Sequence, residues 1–145
     1  MAFTQVALAT IRQNVFSNLF ALIDANKPSG WTLTAMLPED EAVFPTMVLN
    51  SASIKPIIIT MDKDGFIVED IEAVIEFWVL AKDGDKKAEE GRDNVQNTLL
   101  NNQSTLETYG LYLKQDPFDD SNIDPTVYGR EKVRQCASII RLGAI

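Results

Sequence analysis

Glu72 and Glu76 come nearest, by type and spacing, to acid–base chemistry: two carboxylates on one side of the run from Ile71 to Lys82. Such a pair can give and take a proton only when both groups flank the same reacting bond. Four residues of strand separate them by about 13 Å, so the spacing makes them surface groups instead. Cys136 is the single cysteine and histidine is absent, which excludes a disulfide framework, a Cys/His zinc site and histidine-dependent catalysis. No base or cationic pattern surrounds Cys136, so it reads as a small core residue.

Two further clusters invite a metal. Asp62, Asp64 and Gly65 match part of a calcium loop, but Thr60 stands where its first aspartate belongs and Ile71 where its bidentate glutamate belongs. Asp-Gly between Ile57–Met61 and Phe66–Val68 is instead a hairpin signal. Asp116, Asp119, Asp120 and Asp124 crowd the stretch from Gln115 to Pro125 without ligand spacing. With Pro117 and Pro125 that stretch reads as a solvated acidic loop, whose apolar Phe118 and Ile123 would anchor it to its own body or to a neighbouring subunit. The seven glycines are isolated, so no phosphate loop is present. The expectation is no catalytic residue, no cofactor and no metal, with function carried by surfaces.

The element that must position those surfaces is the stretch around Ile71 to Lys82. Ile71, Ala73, Ile75, Phe77, Val79 and Ala81 alternate with Glu72, Val74, Glu76, Trp78, Leu80 and Lys82. A period of two predicts a strand with one wholly apolar face. Burying its large side chains contributes about 1.5 to 3 kcal/mol each before entropy. The second face is apolar at Val74, Trp78 and Leu80, a patch that something must cover.

Helical periods flank this strand. Leu8, Ile11, Val15, Leu19, Leu22 and Ile23 predict an amphipathic helix over Thr4 to Asn26, with Thr4 as its cap, Phe16 and Phe20 beside the stripe, and Lys27-Pro28-Ser29-Gly30 stopping it. Ala88, Arg92 or Gly91, Val95, Leu99 and Asn102 on one line, with Leu100 beside it, predict a second helix over 85–102, where Gly91 marks close packing against the sheet. Trp31 to Leu37 and Thr46 to Ile54 read as strands, the second weakened at Asn50-Ser51. Pro56 places the start of the next strand just beyond it. Ser104 to Glu107 has capping-box form while Tyr109 to Lys114 alternates, so residues 104–114 fit a helical turn or a strand. Arg130 to Leu142 alternates as a final strand.

The chain has 145 residues, enough for one domain over 1–145 with a single core. The order of elements predicts an α+β fold: a mainly antiparallel sheet of about four to five strands with two main helices packed on one face. A net charge of −8 argues against a nucleic-acid or anionic-membrane footprint. No signal peptide or membrane span is read, so a soluble chain of the cytoplasm is expected. Trp31, Phe44, Trp78, Phe118 and Ile123 are the expected contact residues with a partner.

The N-terminal helix, Phe44-Pro45 leading to Met47-Val48-Leu49, Ile75 to Lys82, the helix carrying Asp93, Val95 and Leu99, and the closing Val133-Arg134 to Ile139-Ile140-Arg141-Leu142 together form a layout. This layout resembles the tail terminator and tail-completion proteins of long-tailed bacteriophages. The resemblance covers most of the chain through short strings, and it carries no catalytic signature. It implies a virion protein made in the host cytoplasm and placed at the tail–neck junction, a homo-oligomeric ring, hexameric in that family. The ring would cap the tail tube protein and meet a neck or head-completion protein. DNA would pass through without specific binding, eased by carboxylates such as Glu39, Asp40, Asp119 and Asp120 lining the ring. Another neck or head-closure connector, or a small cytosolic adaptor domain, shares the same absence of chemistry.

Overall fold

A computed structural model describes residues 2–4, 8–36, 43–50, 53–58, 65–128 and 130–144. In chain order the elements are β1 (Ala2–Thr4), α1 (Leu8–Asn26), β2 (Thr32–Thr34), β3 (Thr46–Leu49), β4 (Ser53–Ile58) and β5 (Gly65–Leu80). There follow a 3₁₀ turn (Ala81–Asp83), α2 (Gly84–Asn101), α3 (Gln103–Thr108), β6 (Leu111–Asp120), β7 (Asp124–Tyr128) and β8 (Glu131–Ala144). All eight strands of the described residues join one sheet, with β5 and β8 at its centre. The fold is α+β, mainly antiparallel, with β2 and β3 as the parallel pair.

The eight strands occupy five rows, which is how a sheet expected to hold four or five strands comes to hold eight. Thr46 to Leu49 and Ser53 to Ile58 follow each other along the same edge of β5, from Thr46 opposite Trp78 to Ile58 opposite Phe66. Phe66 and Ile67 are also paired with Phe3 and Ala2, so β1 lies on the other edge of β5, in the row of β8. β6 and β7 share the outer edge of β8 in the same way.

Four local expectations are corrected. Thr4 belongs to β1, opposite Gly65, and does not cap α1, which starts at Leu8. Pro56 lies inside β4, where the register shifts between Lys55 and Pro56, so the missing N–H falls at an irregularity that needs no ladder bond. The segment from Trp31 to Leu37 is strand only over Thr32–Thr34. Leu100 lies on the solvent side of α2 rather than on its buried line of Ala88, Gly91, Val95, Thr98 and Leu99. The ambiguous stretch is both things in turn: α3, with Asn102 and not Ser104 at its N-cap position, and then β6. The Asp62–Gly65 turn, and the calcium alternative with it, falls on 59–64, outside the described residues apart from Gly65, which opens β5.

The largest correction is the acidic segment. Residues 115–125 are mostly strand, the end of β6 and the start of β7, and only 121–123 are irregular. Between the pairs Leu113–Leu142 and Phe118–Ile140, β6 advances five residues while β8 advances two, so a bulge absorbs the Asp116-Pro117 sequence. Both prolines sit on an edge row where one side of the backbone needs no partner.

The helices cover one face of this sheet. Ile71, Ala73, Ile75, Phe77 and Val79 of β5 are buried with Cys136, Ile140 and Leu142 of β8, under Val15, Leu19 and Ile23 of α1, Val95 and Leu99 of α2, and Leu106 of α3. At Gly91 an added Cβ would stand 2.5 Å from Cη2 of Trp31. The close packing expected against the sheet is made instead against that ring, which precedes β2 and lies edge-on to Phe77 with centroids 6.4 Å apart.

Candidate functional site

The register places Glu72, Val74, Glu76, Trp78 and Leu80 on the face of β5 turned away from the helices. Opposite them on β8 stand Arg141, Ile139, Ala137, Gln135 and Val133, and on the β3 side Val48 and Thr46. No helix among the described residues packs on this face. Its apolar strip is half-buried at Val74, Trp78, Leu80 and Ile139 and closed at Val48 and Val133. Glu76 divides it, with one carboxylate oxygen accepting from Gln135 Nε2 at 3.3 Å and the other from Asn50 Nδ2 at 3.4 Å. Glu72 lies four residues along the strand, opposite Arg141 in register, while Arg141 itself pairs with Asp116 and Asp119, so the two carboxylates do not converge.

One end of this face is roofed from both edges. Phe44, just before β3, and Tyr128, the last residue of β7, meet with ring centroids 5.6 Å apart at 82°. Those segments lie on opposite sides of the central β5–β8 pair, so their contact spans it at the Trp78 end. At that end, Trp78 Nε1 and the Tyr128 hydroxyl are without a hydrogen-bond partner among the described residues.

A scan against protein-family models and a search of curated proteins match nothing.

The five expected contact residues do not gather. Trp31 is 3 % exposed and forms part of the core, because Phe77 and Gly91 make a slot for its ring; it offers no contact surface. Phe118 and Ile123 pack against the core of their own chain. Phe44 and Trp78 alone stand at the uncovered face, both half-buried. Of the carboxylates expected to line a ring, Glu39 and Asp40 lie outside the described residues. Asp119 and Asp120 fall on opposite faces by register, each beside an arginine: Arg141 Nη2 is 3.1 Å from Asp119, and Arg92 Nε is 3.8 Å from Asp120.

Asp120 is a junction that sequence reading missed. Its Oδ1 accepts from Ser138 Oγ at 2.8 Å and from Gln96 Nε2 at 2.7 Å, while Arg92 also donates to the Ser121 carbonyl at 3.0 Å. Ser121 in turn takes the amide of Ala137 on its hydroxyl at 2.8 Å. The network ties the end of β6 to α2 and β8, and Ser138, a polar residue on the buried side of β8, was its one visible signal. Cys136 lies on the same side of β8, fully buried; burial pushes its thiol up from the ordinary value, against a smaller opposing pull from the Arg92 charge. Its thiolate is disfavoured there, which fits a packing role.

Among the described residues, no group of three His, Cys, Asp or Glu side chains could hold a metal ion. No described helix is long and apolar enough to cross a membrane.

Proposed function

We propose that this protein is a structural subunit of a long-tailed bacteriophage, a tail terminator that assembles as a ring on the last ring of the tail tube and joins it to the neck. It works as an assembly surface and not as an enzyme. The observation that carries the reading is the uncovered sheet face, where Val74, Trp78, Leu80 and Ile139 remain half-buried with no helix of the described residues over them. An apolar strip of that kind, rimmed by Glu72, Arg141 and Asp119, has the make-up of a protein contact, apolar at its centre and charged at its margin. The layout of the chain supplies the partner class, the tube below and a neck protein above, with DNA passing without specific binding.

Electron microscopy of tail tubes mixed with the purified protein tests this. A ring of extra density at one end of the tubes, and arrest of their growth, is expected. Bare ends at saturating protein would refute it.

A further inference from the structure

Cations and carboxylates are spread unevenly over the described surface. Of the Lys and Arg side chains described, Arg12, Lys82, Lys86, Arg130 and Lys132 have no carboxylate within ion-pair distance among the described residues. Three of these five, Lys82, Arg130 and Lys132, line one hollow of about 490 Å³ at the end of the sheet, with Leu80 and Ala81 also in its lining and Glu131 as its one acidic member. A smaller hollow of about 290 Å³ continues past Lys132, lined by Pro125, Thr126 and Val127. Val127 is 66 % exposed. The combined surface is apolar in part and cationic around it, on a chain whose net charge is −8.

The opposite chemistry lies on the outer row of the same sheet. Asp116 is 89 % exposed on its side chain and reaches Arg141 only at 3.8 Å. Asp124, at the start of β7, is exposed and makes no ion pair with a described residue. Phe118 and Pro117 lie between them, half-buried. β6 and β7 each use only one edge, that facing β8, among the described strands.

We infer that the hollow formed by Lys82, Arg130 and Lys132 receives the acidic β6–β7 margin, Asp116 and Asp124, of a second copy of this chain. The inference rests on the ring reading for its setting, and names the contact between neighbouring subunits. Complementary patches on different parts of one surface let copies pair without either patch meeting itself, which would bring like charges together. Long-range attraction between them is strongest at low ionic strength and fades as salt shortens the screening length from about 30 Å at 0.01 M to about 10 Å at 0.1 M.

Sedimentation velocity on three full-length chains tests it: the wild type, the K82E/R130E/K132E variant, and the D116K/D124K variant. All five positions are exposed, and cooperative thermal unfolding of each variant checks that it is folded. At about 0.01 M salt the wild type is expected to self-associate, each variant to do so at least about tenfold more weakly, and the equimolar mixture of the two variants to recover association. Added salt should weaken the wild type and the mixture together. A wild type that stays monomeric at low salt overturns the contact, as does self-association that survives reversal or a mixture that stays apart. Binding of wild type to duplex DNA that is lost in K82E/R130E/K132E, with sedimentation unchanged, would also overturn it by assigning the hollow to phosphates. If the variants still cap tubes and associate normally, the contact falls and the ring reading stands; if the mixture recovers association but no chain caps tubes, the reverse holds.

Discussion

Two faces of one strand, β5, have opposite fates. On the helix side Ile71, Ile75, Phe77 and Val79 are sealed, each 0–1 % exposed, with α1, α2 and α3 over them. On the other side Val74, Trp78 and Leu80 alternate with Glu72 and Glu76, and among the described residues the cover is the Phe44–Tyr128 contact at one end. The first face explains why the chain folds, since its large apolar side chains lose nearly all their contact with water. The second explains what the folded chain can do, since half-buried apolar area persists there beside Glu72 and the amide-bonded Glu76. The difference teaches that the stabilising and the working surfaces are one residue apart along the strand.

The contrast breaks most visibly at neighbouring aromatics. Phe77→Ala should cost about 3 to 5 kcal/mol in urea unfolding, as for any fully buried ring, and Trp78→Ala about half that or less, because its pocket is already part solvent. Equal costs would mean that the second face is as closed as the first. Next comes Gly91→Ala. Helix propensity alone would stabilise α2 by about 1 kcal/mol, but the new methyl must displace the buried Trp31 ring, and overpacking costs about 1 to 3 kcal/mol. A lowered midpoint is expected; a raised one would show that the slot around Trp31 is loose.

Asp120→Ala tests the latch that holds β6 to the helix side. It leaves the buried Ser138 hydroxyl and Gln96 without their acceptor, and about 1 kcal/mol of destabilisation is expected, limited because the carboxylate is partly exposed. Cys136 gives the smallest effect and one with a pH sign. Its folded value is raised by burial, so its stabilising share is complete below the ordinary thiol value and declines as pH rises through that value toward the folded one. The stability difference between wild type and Cys136→Ala should therefore shrink above about pH 8.5. At neutral pH the native chain should also label slowly with a thiol reagent, and quickly once unfolded.

Much of the helix side was legible in the sequence. The alternation of Ile71 to Val79, the spacing of Val15, Leu19 and Ile23, the glycine in α2 and the cysteine of β8 are all local patterns that burial alone imposes. What escaped was set by residues far away in the chain. The aspartates of 115–120 look like a loop until Arg141 and Arg92, more than twenty residues distant, are placed beside them. Trp31 looks like a docking residue until Phe77 and Gly91 close around it. Pro56 looks like a boundary until a register shift in β4 absorbs it. Of the candidate site, Trp78 was visible in the alternation and Phe44 by its ring, but nothing near Phe44 in sequence pointed to Tyr128 as its partner.

The most direct test of the uncovered face is end-capping of tail tubes by a chain carrying Val74→Glu and Leu80→Glu, imaged beside wild type at matched concentration. The account predicts a variant that unfolds cooperatively, with a midpoint near that of wild type, and leaves tube ends bare. A folded variant that caps tubes as well as wild type does would contradict it.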